Sequence, residues 1–212
     1  MTALTFSVVG ARPAGEMAAP AIVFRLRIES DGPVHAIALR CQVQIEARGR
    51  RYSAADQEKL YELFGEPSQW HHTLRTITWT QTSVVVPSFD RTVEIDLPVA
   101  CTYDLLIASS KYLHGMRDGG VPLSFQFSGT TFTTPEGRLA IEPVPWDREA
   151  RFEMSAAVWH EAMDRLFPDS GWIRLRRDTI DRLQAFRGRN AFVEWDEVID
   201  RLLQGAETRE PV

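Results

Sequence analysis

The chain has 212 residues and a mass of 24.1 kDa, enough for one large domain with a real core, or one domain plus an appendage. With 44% hydrophobic and 25% charged residues it has the composition of a folded globule, which excludes a largely disordered chain, a collagen-like repeat and a coiled coil. The formal net charge of -5 argues against general coating of nucleic acid, which requires a basic face.

The first two thirds of the chain read as strands. A short candidate covers Leu4–Val9. Ile22, Phe24, Leu26 and Ile28 then alternate with Arg25, Arg27 and Glu29, and Ile37, Leu39, Cys41, Val43 and Ile45 alternate with Arg40, Gln42, Gln44 and Glu46. This period of two marks strands with one buried face. Asp31-Gly32-Pro33 between them is a turn signal, so the pair is expected to form a hairpin. Ser53 to Phe64 interrupts the strands. Leu60, Leu63 and Phe64 share one side, Ser53 can cap the segment and Gly65 can end it, which predicts a short helix. Strands resume at Arg75–Val86, at Val93, Ile95 and Leu97, at Tyr103–Ala108, at Val121 to Phe127, at Thr131–Thr133 and at Arg138–Glu142. Eight or nine strands with no regular helix between most of them predict an antiparallel β-sandwich, immunoglobulin-like or similar.

After Pro143-Val144-Pro145-Trp146 the period changes. Val158, Trp159, Ala162, Met163 and Leu166 fall at helical spacing, and Pro168 stops the run. A second helix is expected from about Thr179, with Ile180, Leu183 and Phe186 inward and Asp178 as its N-cap. A third carries Trp195, Val198, Ile199, Leu202 and Leu203. The expected organisation is therefore an α+β protein: a sandwich domain over residues 1–147, a helical appendage packed on it over 148–204, and a frayed tail over 205–212.

The two cysteines, Cys41 and Cys101, are too few for a disulfide scaffold of this length. A bridge between them would imitate the immunoglobulin pin, but the tryptophan expected soon after the first cysteine is missing. Cys41 falls on the inward phase of its strand, and a buried structural thiol is the ordinary reading of Cys101 as well, against a nucleophile. Met1 to Val9 has no basic n-region and no sustained apolar stretch, and no window approaches 18 apolar residues. A cytoplasmic location with reduced thiols is the expectation.

No dinucleotide, P-loop, serine-hydrolase or zincin motif occurs. His71-His72 is the one histidine cluster. With His114, His35 or Asp90 it could hold zinc or nickel, but adjacent histidines on a strand point apart. A metal-handling protein or hydrolase built on His71, His72 and His114 is therefore the alternative, and no metal or other cofactor is expected. Arg48-Gly49-Arg50-Arg51 reads as a nucleic-acid patch or as a solvated turn, with acidic neighbours favouring the turn. Of the 24 basic residues only Lys59 and Lys111 are lysines; a GC-rich genome or arginine-specific anion chemistry would each account for that. Arg174, Arg176, Arg177, Arg182, Arg187 and Arg189 make the best anion-binding candidate, partly neutralised by Asp178 and Asp181. Trp70 and Trp146 fall in loops, where aromatic residues can anchor a protein interface. Exposed tryptophans on a sandwich also suggest a lectin-like reading, which the absence of a secretion signal weighs against.

Several strings together resemble a family. They include Phe24-Arg25-Leu26-Arg27-Ile28, Leu63-Phe64-Gly65-Glu66-Pro67 with Trp70, Leu97-Pro98-Val99-Ala100-Cys101-Thr102-Tyr103-Asp104, Phe127-Ser128-Gly129-Thr130, Pro143-Val144-Pro145-Trp146-Asp147 and Gly171-Trp172-Ile173-Arg174-Leu175. The chain resembles, to about Leu203, an uncharacterised bacterial family, typical of actinobacteria, whose genes lie with [NiFe]-hydrogenase clusters. The resemblance implies assembly, maturation, stabilisation or attachment of an uptake hydrogenase and carries over no catalytic residue. The function expected is a non-catalytic protein-binding accessory module. Its partner would be a hydrogenase subunit or maturation factor, touched at Trp70, Trp146, Arg174, Arg176 and Arg177, with no role for nucleic acid or a membrane span.

Overall fold

A computed structural model describes residues 2–208 except residues 16, 103, 167, 169 and 171, and the backbone alone of Glu136. The chain divides into two compact units, Met1–Trp172 and Ile173–Val212.

The first unit is an α+β sandwich of two antiparallel sheets. β1 (Leu4–Pro13), β2 (Ala21–Ser30) and β5 (Thr92–Ala100) form one sheet, with β2 central. The other runs β4 (Ile77–Val86), β3 (Ala36–Ile45), β6 (Gly120–Thr133). Along the far edge of β6 two short strands lie end to end. β7 (Ala140–Pro143) pairs with Thr130–Thr133, and β8 (Glu149–Ser155) pairs with Gly120–Gln126. The period-two residues meet between the sheets. Phe6 stacks on Phe127 at 4.4 Å, and Phe24 meets Phe125 edge-on at 5.0 Å. Ile22, Phe24, Leu26 and Ile28 of β2 and Ile37, Val43 and Ile45 of β3 are fully enclosed. Each such side chain contributes about 1.5–3 kcal/mol by leaving water.

The turn at Asp31-Gly32-Pro33 is not a hairpin. It carries the chain from one sheet to the other, and the backbone groups around it bond elsewhere: Ser30 N–H to Arg91 O, Val34 N–H to Phe89 O, His35 N–H to Phe132 O. Turn chemistry reverses the chain without choosing which strands pair. β2 finds both its neighbours in β1 and β5. The stretches Val121 to Phe127 and Thr131–Thr133 prove to be one 14-residue strand, β6, continuous through Gly129.

α1 (Ala54–Phe64) stands where its caps put it. Ser53 Oγ accepts from Asp56 N–H while Asp56 accepts from Ser53 N–H, and Gly65, at φ +69°, closes the helix onto Tyr61 O. A one-turn helix, α2 (Trp70–Thr73), follows. Residues 104–108, read from sequence as part of a strand, form a turn leading into α3 (Ala108–Gly115); residue 103 lies outside the described residues. Asp104 starts that turn by accepting from Leu106 N–H, and Ile107 N–H bonds Asp104 O.

The region read as a helical appendage from residue 148 opens instead with β8. Its Ala150 and Met154 face the core at period two, so the sandwich unit extends well past residue 147. α4 (Ala156–Asp164) buries Trp159, Ala162 and Met163 and packs on β1, β2 and β8 within the same unit.

The second unit is a helical hairpin of α5 (Arg177–Arg189) and α6 (Trp195–Glu207). Arg176, not Asp178, takes the N-cap position of α5, which places Asp178 in the first turn where its charge favours the helix dipole. α6 runs on through Gly205 to Glu207, so the tail read as frayed from residue 205 is helical there; residues 209–212 lie outside the described residues. No helix among the described residues is long and apolar enough to cross a membrane.

Candidate functional site

The most exposed large apolar side chain of the described residues stands where β7 hands over to β8. Val144 N–H bonds Gly129 O, Phe127 N–H bonds Arg148 O, and Arg148 N–H closes the Pro145–Arg148 turn onto Pro145 O. Val144 is buried, so the turn is clamped at its base. At its tip Trp146 is 93% exposed. In the segment that leads to it, Leu139 just before β7 and Ile141 within β7 are 62% exposed each. A strand is expected over Arg138–Glu142, and β7 forms over Ala140–Pro143. β7 is a four-residue edge strand, and Ile141 lies in register with Phe132, a half-buried residue outside the core. The apolar side chains are thereby left in solvent. An exposed indole on a clamped turn, with two exposed aliphatic side chains in the segment leading to it, is chemistry suited to gripping a protein surface.

Arg174, Arg176 and Arg177 belong to the second unit and are exposed. Arg176 Nε lies 3.7 Å from Asp178, both groups well solvated, so the pair holds little and the guanidinium stays available.

Trp70 does not present its ring to solvent. It is buried, its indole N–H donates to Gly65 O at 2.8 Å, and its ring meets Tyr52 and Phe64 edge-on at 5.2 and 5.9 Å. Tyr112 from α3 completes this aromatic cluster against Tyr52 and Phe64. Trp70 becomes core because it opens α2 and folds back onto Gly65, Phe64 and Tyr52, with Tyr112 of α3 behind the last two. Tyr52 donates to Ala47 O at 2.5 Å and pairs with the Tyr112 hydroxyl at 2.8 Å, and burial pushes both phenols upward from their ordinary range.

The basic run is also absorbed by the fold. Arg48 Nε donates to Leu74 O. Arg50 donates to Gly120 O and Asp118 O, covers the Tyr52 ring and sits 3.8 Å from Asp56.

The histidines are not brought together. His71 and His72 lie exposed on α2, ring against ring at 3.9 Å. His114 sits on α3 edge-on to Trp159, and burial, with the Arg117 charge next, lowers its pKa. His35 forms part of a small surface groove with Asp90. Among the described residues no three of His, Cys, Asp and Glu gather in a metal-holding arrangement. Cys41 and Cys101 are free buried thiols, each pushed by burial to about 12, so neither is a ready nucleophile at neutral pH.

Fold and surface together define a sandwich with a clamped aromatic turn. The chain belongs to DUF6084, a family of unknown function whose model matches residues 1–211. No match was found among curated proteins. Among solved structures the chain is similar to a protein described as late embryogenesis abundant (LEA), at 12% identity and a TM-score of 0.35, covering 72% of this chain and 71% of that one. It is also similar to part of a β-glucosidase from Kluyveromyces marxianus (12% identity, TM-score 0.24) and of β-glucosidase 3B from Thermotoga neapolitana (10% identity, TM-score 0.25). Each covers 72% of this chain, but only 15% and 17% of the enzymes.

Proposed function

We propose that this chain is a non-catalytic, cytoplasmic accessory module that binds another protein, and that the partner is a subunit or maturation factor of a [NiFe]-hydrogenase. The observation that carries the binding role is Trp146, held 93% in solvent by a turn whose base is buried and hydrogen-bonded. An indole kept in water by a rigid turn has lost little freedom to give up on binding, which favours its use as an anchor. Leu139 and Ile141 offer further exposed apolar side chains in the segment before the turn, and Arg174, Arg176 and Arg177 offer guanidiniums for carboxylates of the partner. The hydrogenase assignment rests on the sequence resemblance alone.

The test is affinity purification of the tagged full chain from its host, beside the Trp146→Ala variant. A hydrogenase subunit or maturation factor recovered at near-equal stoichiometry with the native chain, and lost with the variant, is the expected result. Recovery of no hydrogenase component overturns the partner, and equal recovery by both chains overturns the site. Because the indole makes no enclosed contact, the variant should match the native thermal unfolding, which separates a lost contact from a lost fold.

A further inference from the structure

We propose that the α5–α6 hairpin is a self-association device: its groove receives α6 of a second copy of this chain, giving a symmetric four-helix dimer. α6 repeats apolar residues at Trp195, Val198, Ile199, Leu202, Leu203 and Ala206, yet only Val198 is buried. At about 100° per residue, Val198 and Leu202 share one side of the helix. Ile199 and Leu203 lie further round it, 39% and 55% exposed. Asp196, Asp200 and Glu207 border that second ridge on the far side from Leu202.

The same unit carries the complement of this ridge. A groove of about 330 Å³ is lined by the half-buried Leu183 and Phe186, by Leu202, and by the exposed Arg182 and Arg189, which supply its basic rim. These two arginines are seven residues apart, as are Asp200 and Glu207, so each pair spans about 10.5 Å of helix. An apolar ridge edged by two carboxylates thus matches an apolar groove edged by two guanidiniums at equal spacing.

Charge separates between the helices in the same sense. From Arg174 to Arg189, six arginines against two aspartates leave +4. From Glu194 to Glu207, five carboxylates against one arginine leave -4. Within the hairpin this attraction is not used up. Arg187 covers the Trp195 ring at 5.0 Å and donates to Phe192 O. Among the described residues no ion pair joins α5 to α6. A two-fold arrangement puts each copy's acidic ridge on the other's basic rim twice over, which makes the interface self-complementary and closed. It also opposes alignment of α5 on α5, where like charges would meet.

The experiment measures solution mass by sedimentation and light scattering on the full chain. The expected species is a dimer of the 24.1 kDa chain, weakening as salt rises from about 0.05 to about 0.5 M. The double variant R182E/R189E, and separately D200R/E207R, should each raise the dissociation constant tenfold or more, by placing like charges at both rims. Mixing the two variants should restore a heterodimer, because every rim then meets its opposite, and misfolding cannot imitate that rescue. A monomer at concentrations up to about 100 μM, or a dimer indifferent to both reversals, overturns the proposal. Trp146→Ala should dimerise like the native chain, so failure of this proposal and failure of the hydrogenase reading are separately visible.

Discussion

At the scale of single residues, Gly129 and the two thiols decide most. Gly129 sits within β6 at φ +141°, opposite Leu39, and a Cβ there would lie 2.1 Å from Ala38 O. No side-chain movement relieves a clash with backbone, and the φ value itself disfavours every residue but glycine. Gly129→Ala should cost about 3 kcal/mol or more, read as a shift in the urea midpoint or as loss of soluble protein. It should also loosen the Trp146 turn, since Val144 is tied to the Gly129 carbonyl. Cys41 and Cys101 act through pH. Burial raises each thiol from 9.0 to about 12, so the folded state disfavours the thiolate. The stability they contribute is fully present below pH 9.0 and is lost as pH rises towards about 12. The native chain should therefore lose stability above pH 9, and the Cys41→Ala, Cys101→Ala variant, though less stable at pH 7, should show a flatter decline over the same interval.

At the scale of elements, α1 shows how local signals and tertiary packing divide the work. Its capping box is local, while Leu60 and Phe64 hold it to the protein by burial. Ser53→Ala removes one cap bond and leaves Asp56 N–H without its acceptor, so it should cost about 1 kcal/mol, measured by denaturant unfolding with the helix otherwise kept. A similar division accounts for β5. Pro98 lacks an N–H, and β5 accepts it because it pairs only with β2 within its sheet. α3 has no side-chain N-cap and only eight residues, so nothing local announces it. Its place comes from Tyr112 and Leu113, buried among residues of α1 and the Tyr52 turn.

At the scale of the whole molecule, the chain divides into two compact units between Trp172 and Ile173. The first holds both sheets, their shared core and α4, so a chain ending at Trp172 should fold cooperatively and keep the native near-ultraviolet circular dichroism. Loss of a sharp transition in that shortened chain would show that the hairpin is needed for the core. The second unit has few residues and only Val198 buried within its helices. Units this small seldom hold a core alone, which agrees with the second copy inferred above as its cover. The shortened chain should accordingly sediment as a monomer.

Most of the strands, the capped helix and the three C-terminal helices are legible in the amino-acid order; the turn at residues 104–108 and β8 are not. Each of the legible elements carries its own period or its own stop signal, and period depends only on which face meets water. The alternation of Ala150, Phe152 and Met154 is equally local, but it is short and runs directly into the helical period of α4, which masks it. Tertiary structure alone decided the rest. It decided that β2 and β3 belong to different sheets, because a turn sequence bends a chain but strand pairing depends on which edges are free. Trp70 is core and Trp146 is surface for the same kind of reason: each follows a proline-containing segment, but Phe64 of α1 and Tyr52 enclose the first, while the second stands 93% exposed. Exposure of a side chain is a property of its neighbours in space, and those neighbours come from parts of the chain that local sequence does not contain.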